Sequence, residues 1–166
     1  MSGYAAPLRE MTFVLQDVVG LPTIAGLPGF EEATPDLVAS ILEEAAKIAA
    51  DVLAPLNRVG DTVGATWENG TVTVAPGWQE AWNALVEGGW NGLPYPAEFG
   101  GMGLPHVLNL AVQEMWQSAN MAFALCPMLT QGAVQAIELF GTEAQKATWL
   151  SKMVPGTWTG TMNLTE

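Results

Sequence analysis

The chain is poor in almost every residue type that anchors chemistry or charge. Of its 166 residues one is Cys, one is His and five are Lys or Arg, against 17 Asp or Glu. The single Cys126 cannot close an internal disulfide, which fits a reducing compartment and gives a cytoplasmic expectation. One His beside one Cys argues against a protein-only metal site. The formal net charge of −12 repels phosphate backbones and anionic lipid, so neither a nucleic-acid nor a membrane-surface role is expected. No uninterrupted apolar run approaches the ~18 residues of a membrane span. No basic stretch followed by an apolar core opens the sequence, so no signal peptide is expected. A nucleophile paired with a base and a dinucleotide fingerprint are also missing.

What remains is apolar and helical in pattern. Hydrophobic residues make up 49% and charged residues 13%, which argues for one folded domain with a sizeable core. Seven Trp and eight Met are a large bulky load for a chain of this length. Thr34-Pro35-Asp36 reads as a helix start with cap, first-turn Pro and an acid at the positive end of the dipole. Leu37, Ile41, Leu42, Ala45, Ile48, Ala49, Val52, Leu53 and Leu56 follow at helical spacing. Glu43 and Glu44 are adjacent, splay apart on such a helix and read as a solvated face. Asn69-Gly70 between Thr66 and Val74 predicts a hairpin with a type I′ turn. A second helix begins near Trp78, with Trp78, Ala81, Trp82 and Leu85 on one face. A third runs from Pro105 to Ala119, with Val107, Leu110, Ala111, Glu114 and Met115 available to face inward and His106 on the surface. Ser118-Ala119-Asn120 interrupts that pattern.

Met121–Phe140 is almost wholly apolar, which predicts a helix enclosed by other elements. Its Pro127 predicts a kink or a fresh start. The glycines between Gly89 and Pro105 invite a phosphate-loop reading. No strand precedes them and no Lys-Ser/Thr follows, so an irregular turn is expected, with Glu98 structural. Residues 1–33 read as an arm draped over the body, strand-like around Met11–Leu15 and broken by Pro22, Gly26, Pro28 and Gly29. Thr142 with Gln145 forms a capping box, and Pro155-Gly156 ends that last helix. Thr157, Trp158, Thr159, Thr161, Met162, Leu164 and Thr165 then read as a strand without a partner, as if the chain continued into a sheet beyond Glu166.

Several of these stretches carry a resemblance. Trp90, Leu93-Pro94 and Pro96-Ala-Glu-Phe-Gly-Gly-Met-Gly103 resemble a glycine-rich turn of the flavin-dependent acyl-CoA dehydrogenases. Phe140-Gly-Thr-Glu-Ala-Gln-Lys146, Trp149-Leu150, Pro155-Gly156 and Gly160-Thr-Met-Asn-Leu-Thr-Glu166 resemble the junction between that family's helical and β domains. Ala6-Pro-Leu-Arg-Glu-Met11 with Phe13-Val-Leu15 resembles the N-terminal extension of a branch that includes 3-(methylthio)propionyl-CoA dehydrogenases.

The resemblance implies a mainly α fold, the family's N-terminal helical bundle, with a small β-hairpin and the first strand of a β domain. It divides the chain into an extension at 1–33, a helical domain at 34–155 and the start of the β domain at 156–166. It implies FAD as cofactor, with Met162, Leu164 and Thr165 beside the flavin, although the family more often has an aromatic where Met162 stands. It implies an acyl-CoA substrate, with Met128 and Gly132 on the acyl wall. It further implies an electron-transferring flavoprotein or similar acceptor, and a homo-oligomer for the full-length protein. The catalytic base is expected elsewhere in the protein, so residues 1–166 alone are expected to be inactive. An acyl-CoA oxidase or flavin monooxygenase on the same fold, and a non-enzymatic helical module, stand as alternatives.

Overall fold

The computed structural model describes residues 3–161. Its longest rod starts where the cap signal places it. The Thr34 hydroxyl accepts from Leu37 N at 3.3 Å, and Pro35 and Asp36 open α3 (Pro35–Lys47). The chain stays helical through a π-type turn, Ile48–Leu53, into α4 (Ala54–Thr62). Val38, Leu42, Ala45, Ala49 and Leu53 form its buried stripe. Leu37 instead lies on the exposed side, and Glu43 and Glu44 face solvent, Glu44 meeting Lys47 at 2.9 Å.

The hairpin pairs β1 (Thr66–Glu68) with β2 (Thr71–Thr73), Trp67 opposite Val72. Asn69 and Gly70 take φ of 50° and 82°, as the turn requires. Helix α5 (Trp78–Glu87) buries Ala81 and Leu85 and rests Trp78 and Trp82 on the ring of Phe123, at 5.5 and 6.4 Å. Two short 3₁₀ turns, Trp90–Gly92 and Ala97–Phe99, bracket the glycine-rich stretch.

The N-terminal arm is helical, contrary to its strand-like reading. Helix α1 (Leu8–Phe13) runs into a π-type turn, Val14–Val18, and α2 (Leu21–Ala25) follows. Met11 and Leu15 lie four apart and are both buried, with Leu21 beyond them. That spacing, and not alternation, is what the body selects.

Helix α6 (His106–Phe140) is one element by hydrogen bonding and two by direction. Asn109 and Gln131 exchange side-chain hydrogen bonds of 3.0 and 3.2 Å. A straight helix would hold residues 22 apart about 33 Å from each other, so the chain must double back between them. The reversal sits at Asn120, whose backbone leaves helical geometry (φ −157°, ψ 85°). Its Oδ1 accepts from Phe123 N at 3.1 Å and so caps the second limb, while its Nδ2 donates to Leu53 O at 3.2 Å. Pro127, expected to kink or start the helix, lies inside the second limb without breaking it. The bend is already made upstream by the cap. By length and composition α6 would reach across a bilayer. Its reversal and its buried Asn109, Gln113, Thr130 and Gln131 make it a core hairpin instead.

The first limb, 106–119, buries Leu108, Ala111, Val112, Met115, Trp116 and Ala119. Of the expected inward set Ala111 and Met115 are buried and Val107 is half-buried, but Leu110 is 65% exposed and Glu114 faces solvent. Trp116 is fully buried, edge-on to Trp90 at 5.7 Å. A second, smaller core joins the second limb to α7 (Glu143–Met153) through Tyr95, Val134, Leu150, Met153 and Val154. The Thr142–Gln145 capping box is complete in both directions. Gly156 (φ 84°) ends the helix, and Trp158 N donates to Lys152 O at 3.0 Å. The stretch read as a strand is not one through Thr161: it turns off α7 and pairs with no other strand among the described residues.

Candidate functional site

The glycine-rich turn is a backbone lock. Gly101 N donates to Pro96 O, Met102 N to Gly92 O, Gly103 N to Tyr95 O and Leu104 N to Leu93 O, all within 3.0 Å. A Cβ on Gly101 would lie 2.0 Å from Tyr95 O, so only glycine lets the two passes of chain meet. Every one of those N–H groups is spent on the turn itself. Those four amides are not free to cradle a phosphate. Glu98 is exposed, in keeping with no catalytic part.

The turn holds the second limb of α6 in place. Tyr95 is buried, and its hydroxyl donates to Gln131 O at 2.7 Å. Burial, with a smaller contribution from the charge of Glu138, pushes the Tyr95 phenol well above its usual value. The Gln131 amide also donates to Asn91 O at 3.4 Å besides its pair with Asn109. Gln117 reaches across from the first limb to donate to Met128 Sδ at 3.8 Å. The ties from Tyr95, Asn91 and Asn109 fix the inner side of the limb at Gln131. Asn109 and Gln117, which make two of these hydrogen bonds, stand in the sequence as amides among apolar residues.

The outer side is different. Met121, Leu125, Met128, Gly132, Ala136 and Leu139 recur at three- and four-residue steps, so they share one face. Met121 is 58% and Leu139 62% exposed. Met128 and Gly132 are half-buried, one turn apart on this stripe. The limb is therefore not enclosed, as its all-apolar sequence suggested, but open along one side among the described residues. An uncharged, sulfur-containing stripe of this kind suits an acyl chain or the flat edge of an aromatic ring.

Between Met128 and Gly132 sits Thr130, buried, and it receives the segment leaving α7. Gly160 N donates to Thr130 Oγ at 3.1 Å, in a crevice where a Cβ on Gly160 would stand 2.6 Å from Met153 Cε and 2.9 Å from Ala133 Cβ. The structure thus joins the limb bearing Met128 and Gly132 to the stretch that leads on toward the residues expected from sequence to meet a flavin. Met162, Leu164 and Thr165 themselves lie outside the described residues.

Other features do not belong to this site. Cys126 is exposed, yet neighbouring protein crowds its sulfur and pushes the thiol above the ordinary cysteine value. It is protonated at neutral pH and no nucleophile. His106 is exposed and stands edge-to-face with Tyr95, ring centroids 6.1 Å apart. An open groove of about 560 Å³ lies elsewhere, between α3 and the glycine-rich turn, lined by Leu37, Ile41, Trp90, Leu93 and Met102. Glu32 and Glu44 also line it, and their charges would repel a phosphate-bearing ligand.

Comparison with known proteins identifies the family of the fold. The family model described as acyl-CoA dehydrogenase, N-terminal domain, matches residues 38–157. A 3-methylmercaptopropionyl-CoA dehydrogenase of Ruegeria pomeroyi is 43% identical over 163 residues, covering 98% of this chain and 28% of that protein. A broad-specificity linear acyl-CoA dehydrogenase, FadE5, of Mycobacterium tuberculosis is 29% identical over 170 residues, 100% of this chain and 27% of its own length. The solved butyryl-CoA dehydrogenase of Megasphaera elsdenii superposes with a TM-score of 0.65 at 25% identity, over 80% of this chain and 33% of that one. A chain from a study of the electron-transferring flavoprotein of Acidaminococcus fermentans does so with a TM-score of 0.66 at 27% identity, over 80% of this chain and 32% of that one. The chain spans little more than a quarter of the two curated relatives. With the family model matched across most of its length, and a helical hairpin braced by a glycine-locked turn, the chain belongs to the acyl-CoA dehydrogenase family, in its N-terminal helical domain.

Proposed function

We propose that the protein bearing this chain is an FAD-dependent acyl-CoA dehydrogenase that oxidises a thioester between its α and β carbons. The observation that carries the reading is the exposed stripe through Met128 and Gly132, braced from behind by Gln131, Asn109 and Tyr95. It is an apolar wall stiff enough to position a short acyl chain. A carboxylate base elsewhere in the protein takes the α proton. Bound FAD would supply the acceptor for the hydride that leaves the β carbon. Product is the α,β-enoyl thioester, and two electrons pass on to an acceptor of the electron-transferring flavoprotein kind. Positioning dominates such a step, because proton and hydride leave adjacent carbons of one clamped substrate.

The residues described suit the apolar parts of FAD and substrate but not the pyrophosphates. Of the five Lys and Arg, Lys47, Arg58 and Lys146 already face Glu44, Asp61 and Glu143 at 2.9, 3.4 and 3.2 Å, which leaves Arg9 on α1 and Lys152 on α7 and no cluster of cations. We therefore assign Met162, Leu164 and Thr165 to the flavin ring, Met128 and Gly132 to the acyl group, and the diphosphates to parts of the protein outside this chain. The name of the Ruegeria relative makes 3-(methylthio)propionyl-CoA the first substrate to try. A homo-oligomeric full-length protein in the cytoplasm completes the proposal.

The test uses the full-length protein, mixed without oxygen with 3-(methylthio)propionyl-CoA and with straight-chain acyl-CoAs of increasing length. Bleaching of the visible flavin band with formation of the enoyl thioester is the expected result. A protein that purifies without flavin, or a flavin that no acyl-CoA reduces, defeats the proposal. Rapid consumption of oxygen by the reduced protein would move it to the oxidases. Residues 1–166 alone should turn over nothing.

A further inference from the structure

Thr130 makes more contacts than a buried helix hydroxyl needs. It is 1% exposed on the inner flank of the second limb of α6. Its Oγ lies 2.9 Å from Cys126 O, the carbonyl one turn back, which is a sufficient partner in itself. Yet the same oxygen also accepts from Gly160 N at 3.1 Å and lies 3.3 Å from Gly160 O. One proton is thus shared between two carbonyls while a lone pair takes the amide. The shape agrees with the chemistry. Gly160 fits only because it lacks a Cβ, the space being closed by Met153 Cε and Ala133 Cβ. Among the described residues beyond Trp158, this is the segment's only hydrogen-bonded attachment to the helices.

We propose that Thr130 is a positioning residue of the site. It pins the backbone at Gly160 to the same limb that carries Met128 and Gly132, and so sets the spacing between the acyl wall and the segment continuing to Met162, Leu164 and Thr165. This rests on the function proposed above. Thr130 touches neither substrate nor flavin and acts through Gly160. A loose tie leaves each wall intact and lets the distance between them drift, which weakens reaction more than binding.

The experiment compares full-length Thr130→Val and Thr130→Ser with the unaltered protein. Val keeps the shape of Thr and removes the hydroxyl; Ser keeps the hydroxyl. Hydrogen exchange is followed at the Gly160 amide, with the amide of buried Leu108 as internal reference, and kcat and KM are measured on the best acyl-CoA. In Thr130→Val, Gly160 exchange should rise by about tenfold or more while Leu108 stays put, since a hydrogen bond to a buried partner is lost at one place only. The variant should lose kcat by more than KM rises, and Ser should restore both readouts. Unchanged Gly160 exchange, a parallel rise at Leu108, or failure of Ser to rescue overturns the tie. An unaltered protein that reduces no flavin with any acyl-CoA overturns the proposed function and the site role with it, whatever the exchange shows.

Discussion

Replacing Asn120 by Ala attacks the point where α6 reverses, and the structure supplies the size of the effect. The side chain makes two bonds that Ala cannot. The first, from Phe123 N to Oδ1 at 3.1 Å, caps the second limb; losing such a cap costs about 1 kcal/mol, with a range of 0.5–2. The second, from Nδ2 to Leu53 O at 3.2 Å, ties the bend to the π-type turn in a region where Asn120 is 1% exposed. A buried group deprived of its partner costs roughly 1–3 kcal/mol. Together they predict a loss of about 2–4 kcal/mol, a large share of a typical domain's stability. With an m-value of about 2 kcal/mol/M in urea, the unfolding midpoint should fall by about 1–2 M. Asn120→Asp separates the two contributions. It keeps the cap but turns a donor into an acceptor facing a carbonyl, and should be no better than Ala. Urea titrations followed by Trp fluorescence read both variants. A midpoint for Asn120→Ala within about 0.3 M of the unaltered protein would refute the view that the cap makes the reversal.

Tyr95→Phe removes the hydroxyl that donates to Gln131 O and should cost about 1–2 kcal/mol by the same assay. It should also flatten the alkaline limb of stability. The folded state keeps the Tyr95 proton above the ordinary value of 10.0, where the unfolded chain releases it, so stability is full below pH 10 and falls as pH rises past it. A Phe variant with an undiminished alkaline decline would assign that decline to another group. Gly101→Ala must place a Cβ against Tyr95 O and should cost about 3 kcal/mol or fail to fold. Gly103→Ala has open space but a φ of 66°, and should lose only about 1 kcal/mol. Equal melting temperatures for these two variants would contradict the backbone lock.

Local signals made much of the fold legible. Thr34-Pro35, Asn69-Gly70 and Thr142 with Gln145 each act within a few residues, and each does in the structure what its chemistry dictates. The misjudged places depend on contacts far along the chain. The arm around Met11 has both a strand-like and a helix-like reading, and only the body it packs on chooses between them. The first limb of α6 has apolar residues on more than one side, so its spacing alone could not say that Leu110 faces out. Pro127 looked like the breaking point because its missing N–H is visible in sequence; the reversal instead falls within the Ser118-Ala119-Asn120 interruption, at Asn120, which caps Phe123 N locally and ties to Leu53 O far along the chain. Met128 and Gly132 came from family resemblance alone; the structure places them one turn apart on the open stripe, and their acyl-wall role is the proposal made above. The amides behind them were not legible, since Asn109 and Gln131 meet only after the chain has turned around.

The lock between Gly92 and Leu104 has a consequence for how the sequence can change over time. Its register is counted in backbone atoms, so one inserted or deleted residue would misalign every closure at once, Tyr95 included. Side chains at Ala97, Glu98 and Met102 point away from those closures or into solvent and can be exchanged at little cost. Length is frozen there while surface identity is free, and variation in this loop should arrive as substitutions and almost never as gaps.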